Sequence, residues 1–121
     1  MKEGKRGVIR ITDNGIVAVQ GETKMTIVEI ADLLGIYYRE AKRHIRAIEK
    51  SGVAGGDYTM SCTADGQKIY PDYYGLKMVL AVAFRIQSKN AEIFREWLCG
   101  KAIRKGIPEM QIISIQNYML N

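Results

Sequence analysis

The chain predicts a mixed α+β fold on three observations. Residues 26–52 hold two helical patterns around a central glycine. Runs of β-prone residues flanking Asn-Gly and Asp-Gly turns lie on either side of them, and two more helical patterns follow Pro71. With 121 residues and 47% apolar content, the chain has material for one compact core. The expected division is one domain over residues 1–106, with residues 107–121 as an apolar helix or tail.

The first helix is announced by its start. Thr26 followed by Glu29 is a capping box, in which hydroxyl and carboxylate satisfy two orphan amides reciprocally, and Met25 is placed to staple onto Ile30. Ile27, Ile30, Ala31 and Leu34 recur at helical spacing, with small Ala31 where a second helix would approach. Gly35 supplies the backbone freedom that ends the helix and turns the chain, and Ile36 is an apolar plug behind the turn.

The second helix is expected from about Tyr37 to Lys50, stopping at Gly52. Its helical spacing gathers Ala41, Ile45 and Ile48 on one side and Arg39, Lys42, Arg43, Arg46 and Lys50 on the other, against Glu40 and Glu49 alone. Such a face either keeps a solvated helix soluble or is the electrostatic footprint of a helix that meets phosphate. The helix-turn-helix spacing ahead of it favours the second. In that arrangement the first half of the helix reaches base edges, which nominates Tyr37, Tyr38, Arg39, Lys42 and Arg43; Arg46 and Lys50 would grip phosphate. Tyr37 or Tyr38 could instead pack under the turn.

The flanking segments complete a winged helix-turn-helix-like plan with two β-hairpins and a C-terminal helical pair. Val8–Thr12 and Ile16–Gln20 surround Asp13-Asn14-Gly15, a strong hairpin signal. The cations Lys5, Arg6 and Arg10 there either touch a DNA backbone or form a charged solvent face. Residues 58–64 alternate Tyr58, Met60, Cys62 and Ala64 with Thr59, Ser61 and Thr63, as a half-buried strand would, and Asp65-Gly66 turns them into Gln67–Tyr70. A hairpin in this position is a wing, and Lys68 is its candidate contact to phosphate or the minor groove. Asp72 is expected to cap a helix burying Leu76, Val79, Leu80, Ala83 and Phe84, and Ser88 to cap another through Ala91, Phe94, Trp97 and Leu98 that ends at Gly106 and Pro108. Phe84, Phe94 and Trp97 read as core. Arg85 and Arg95 read as ion-pair partners of Glu92 or Glu96.

Composition narrows the function classes. A net charge of +5 suits a polyanionic partner. No apolar run approaches the roughly 18 residues of a membrane span, and the start MKEGKRG lacks a signal peptide's apolar core, so a cytoplasmic location is expected. Cys62 and Cys99 lack partners at metal-binding spacing and are expected to be reduced thiols acting as small apolar residues. His44, the one histidine, suits a packing edge or a DNA contact. No nucleophile, base and orienter assemble around it, so neither catalysis nor a cofactor nor a metal is expected.

With these residues in view, ETKMTIVEIADLLGIYYREAKRHIRAIEKSG and ADGQKIYPDYYGLKMVLAVAFRIQSKNAEIFREWL resemble the N-terminal region of the RhuM-like virulence-protein family of bacterial mobile and pathogenicity islands. Tyr74, Leu76, Arg85, Ser88, Lys89, Phe94, Arg95 and Trp97 carry the more specific part of the likeness, which covers roughly residues 16 to 106. Ala41 stands where such motifs usually carry Ile or Val, and Met25 where the family usually has Trp. The resemblance implies a DNA-binding module, a transcriptional regulator associated with mobile elements, with double-stranded DNA as partner and no operator specified. The tail from Pro108 carries Met110, Ile112, Ile113, Ile115, Tyr118, Met119 and Leu120; it either packs back onto the core or makes a subunit contact, as in a homodimer. The alternative in another class is a protein-interaction adaptor or antitoxin-like module on the same fold.

Overall fold

The computed structural model describes residues 6–12, 17–18 and 22–104, with the backbone alone at 17–18 and 101–104. It is a small mixed α+β domain. The elements run β1 (Arg10–Ile11), β2 (Val17–Ala18), α1 (Ile27–Leu34), α2 (Tyr38–Ser51), β3 (Cys62–Asp65), β4 (Lys68–Pro71), α3 (Leu76–Ala83) and α4 (Lys89–Arg104). Two antiparallel two-stranded sheets are present among these residues, β1 with β2 and β3 with β4. The Asp13-Asn14-Gly15 turn, Lys5, the Gly106–Pro108 stop and the tail 107–121 lie outside the described residues.

Local chemistry explains both ends of α1. Thr26 accepts from the Glu29 amide at 3.2 Å, and the Glu29 carboxylate accepts from the Thr26 amide at 2.9 Å, the expected capping box. Gly35 sits in the left-handed region at φ 67, while Ile36 N–H reaches back to the Ala31 carbonyl at 3.1 Å. The remaining carbonyls at this end are satisfied from far along the chain: Ser88 Oγ donates to Leu34 O at 2.5 Å and Asn90 Nδ2 to Leu33 O at 2.9 Å. Ser88 also accepts from the Ala91 amide at 3.0 Å, so one hydroxyl caps α4 and closes α1.

The core forms where the four helices meet. α1 packs on α2 and α4, α2 on α3, and α3 on α4. Ile30, Leu34, Ala41, Ile45, Met78, Val79, Val82, Ala91 and Phe94 are fully enclosed. Each large aliphatic group among them contributes about 1.5–3 kcal/mol by leaving water. Trp97 is half-buried and stacks on Phe94 with centroids 5.5 Å apart.

Five sequence expectations change here. Residues 58–64 do not form a half-buried strand: β3 is limited to Cys62–Asp65 and exposed throughout, with Tyr58 and Met60 also exposed, because among the described residues nothing covers them. Cys62 is therefore a surface thiol and not a small apolar core residue. Asp72 does not cap a helix; its carboxylate accepts from Ser61 Oγ and, at 2.7 Å, from Thr63 Oγ1, closing the base of the second hairpin. α3 begins at Leu76 after Gly75, and it is enclosed on several sides, burying Met78, Ala81 and Val82 while Leu76 is left exposed. Arg95 pairs with no glutamate; it donates to the Ala83 carbonyl at 2.6 Å and the Ile86 carbonyl at 3.1 Å, serving the end of α3 as a C-cap.

The hairpin is joined to the helices through a short ladder. Met25 and Tyr74 exchange both backbone hydrogen bonds at 2.9 and 2.8 Å, and Tyr74 also bridges Gly56. Gly56 lies so close to this seam that a Cβ there would come within 2.2 Å of Pro71 Cγ and 2.9 Å of Tyr74 Cε1. Gly56→Ala should therefore lower stability by about 1–3 kcal/mol. Gly55→Ala, where a Cβ meets nothing within 4 Å, should be nearly neutral in the same denaturant titration.

Candidate nucleic-acid interface

α2 is positioned by what it buries. Ala41 and Ile45 are inaccessible and Ile48 nearly so, while Gly52 at φ 82 ends the helix, its N–H bonded to the Ile48 and Glu49 carbonyls. The expected inner stripe is thus the observed one, and small Ala41 is one of the residues sealed on that side.

The opposite side carries the cations. Arg39, Arg43 and Lys50 are exposed and Lys42 is half-buried; among the described residues none of the four forms an ion pair. Other cations behave differently. Arg6, though exposed, holds Glu29 through both guanidinium nitrogens at 2.8 and 3.0 Å and lies over the Tyr73 ring, so its charge is engaged within the fold. Lys24 meets Asp57 at 2.5 Å, and this bond, with those from Thr59, holds the Asp57 carboxyl down to about 2. Arg10 is exposed beside β2.

Arg46 departs from the phosphate-gripping role expected of it. Its Nη1 donates to Tyr74 Oη at 2.9 Å and to Glu49 Oε1 at 3.1 Å, and its Cζ sits 3.7 Å from the centroid of the Tyr70 ring. The Tyr74 hydroxyl donates in turn toward Glu49 Oε2 at 3.4 Å, and burial pushes its pKa up to about 12. The guanidinium thus binds α2 to β4 and to the segment entering α3. The Arg46/Glu49 spacing of one helical turn was visible in the sequence, whereas Tyr70 and Tyr74, more than twenty residues on, carried no local signal.

The remaining nominees fall around α2. Tyr37 precedes the helix with an extended backbone and is 84% exposed; Tyr38 is 48% exposed, so neither packs under the turn. Lys68 is exposed at the start of β4, two residues past Gly66, which takes the tight turn at φ 68. Between α2 and this hairpin lies a groove of about 460 Å³ whose walls include Tyr38, Lys42 and Arg46 on one side and Thr63, Asp65, Tyr70 and Asp72 on the other. Hydrogen bonds from Ser61 and Thr63 keep Asp72 below the usual carboxylate range, so this wall of the groove carries a negative charge opposite Lys42 and Arg46. On the outer side of α2 the one carboxylate beside Arg39 and Arg43 is Glu40.

His44 lies half-buried on the flank of α2. Burial first, then the neighbouring Arg43 and Arg85 charges, lowers its pKa below the ordinary 6.5. Among the described residues no three of His, Cys, Asp or Glu gather as metal ligands, and no helix is long and apolar enough to cross a membrane. The chain matches no family model, no curated protein and no solved structure.

Two outcomes test this geometry. Tyr74→Phe removes the hydroxyl that accepts from Arg46 and donates toward Glu49, and should cost about 1–3 kcal/mol in denaturant stability. For His44, the unfolded chain binds more protons just below pH 6.5, so its contribution is complete above that value and is lost as pH falls toward the depressed folded pKa. The stability slope between about pH 7.5 and 5.5 should be shallower in His44→Gln than in the parent.

Proposed function

We propose that the chain binds double-stranded DNA as a winged helix-turn-helix-like module, with α2 lying in the major groove and the β3–β4 hairpin as its wing. The observation that carries this reading is the row of cations on one helix, Arg39, Lys42, Arg43 and Lys50, left without ion pairs among the described residues while Arg6, Lys24 and Arg46 are engaged. Unpaired cations on one ridge release the counterions condensed on duplex DNA when they meet phosphate, which is the main source of affinity for any sequence.

Roles follow from position. Tyr37 just ahead of α2 and Tyr38, Arg39, Lys42 and Arg43 in its first half take base edges, with Arg able to bridge guanine in a bidentate manner. Lys50 holds phosphate at the far end, and Lys68 holds it from the hairpin. Arg46 becomes a positioning residue that fixes α2 against the hairpin. A second copy of the chain on one duplex would place two such helices about 34 Å apart. The resemblance to the RhuM-like family supports a regulator associated with bacterial mobile elements, acting in the cytoplasm.

A protein-interaction adaptor or antitoxin-like module is the second reading. It draws on Tyr58, Met60 and Ile69, which leave apolar surface exposed around the hairpin. Charge reversal separates the two. With about four or five phosphate contacts, affinity for random duplex should fall roughly 10²- to 10³-fold between about 50 and 200 mM salt. Arg39→Glu with Arg43→Glu, folded by circular dichroism, should abolish binding. Should the reversed variant hold duplex as tightly as the parent, the adaptor reading replaces this one.

A further inference from the structure

Tyr37 and Tyr38 are left unexplained by packing. Their rings are 84% and 48% exposed, and among the described residues neither stacks on another ring or on a guanidinium, unlike Phe94, Tyr70 and Tyr73. With Arg39, Glu40 and Arg43 they border an open concavity of about 790 Å³. Arg39 and Arg43 have no ion-pair partner among the described residues.

Aromatic faces beside two unpaired guanidinium groups, which outnumber the single Glu40 carboxylate on the same concavity, match a ligand that is planar, π-rich and negatively charged at short range. A nucleotide has that chemistry, and alanine substitution of a ring that stacks on a base costs about 1–3 kcal/mol. A base inside a perfect duplex has both faces covered by its neighbours, so a tyrosine there reaches only an edge. An unpaired base offers a face.

Resting on the nucleic-acid reading above, the geometry points to a stacking platform: Tyr37 and Tyr38 take an unpaired or extruded base while Arg39 and Arg43 hold its flanking phosphates. The chain thereby prefers DNA carrying an unstacked base to a continuous duplex. Continuity with the unpaired cations of α2 places the platform at the leading end of the same surface, where the helix meets the strand.

The experiment compares a short duplex bearing a central thymine bulge with the same duplex lacking it, by fluorescence anisotropy, using the full chain. The parent should bind the bulged form more tightly. Tyr37→Ala with Tyr38→Ala should remove roughly 5- to 150-fold of affinity for the bulged duplex and distinctly less from the continuous one, where the rings reach only base edges. Tyr37→Phe with Tyr38→Phe should keep the preference, because the ring and not the hydroxyl supplies it. Equal parental binding to both forms, or an alanine variant weakened equally on both, overturns the platform while leaving duplex binding standing. No binding to either form at low salt overturns the nucleic-acid reading itself, and the platform with it.

Discussion

The arrangement turns on one buried hydroxyl. Tyr74 is sealed from solvent, yet its oxygen accepts from Arg46 and donates toward Glu49, while its backbone pairs with Met25 at the entry to α1 and bridges Gly56. A buried hydroxyl without partners is costly, and so is a partly buried guanidinium without an anion. Each satisfies the other only when α2, the hairpin and the start of α3 are in register. The cation–π contact of Arg46 with Tyr70 extends the same restraint to β4. The direction in which α2 points its other cations is a consequence of that closure.

Charges divide accordingly. Arg6 with Glu29, Lys24 with Asp57 and Arg46 with Glu49 are pairs that staple segments distant in sequence or one turn apart, and their charges are met within the chain. Arg39, Lys42, Arg43 and Lys50 form no ion pair among the described residues. Ion pairs on an exposed helix face contribute little stability individually, so leaving the α2 ridge unpaired costs the fold little.

What could be read from sequence was local. The Thr26/Glu29 box, the glycine stops at Gly35 and Gly52, the Ala41–Ile45–Ile48 stripe and the Ser88 cap each depend on neighbours within about one turn, and all appear in the structure. What was misread depended on partners far along the chain. Tyr58, Met60 and Cys62 alternate like a half-buried strand, but among the described residues nothing covers them. Asp72 has a cap's chemistry but finds Ser61 and Thr63 across a hairpin, and Arg95 finds the end of α3 before any glutamate. Arg46 was grouped with its helix neighbours because spacing alone cannot reveal two tyrosines arriving from another element. Of the nominated contact residues, the position on α2 was legible; the separation of free from engaged cations was not.

The most direct test of the central claim follows backbone amide resonances of the labelled chain as a short DNA duplex is added. If α2 presents its unpaired cations to the groove, the largest shifts fall on residues 37–43 and 50, with a smaller set at Lys68, while the amides of α3 and α4 stay still. Shifts confined to α3 and α4, or no saturable shift at low salt, would contradict the account.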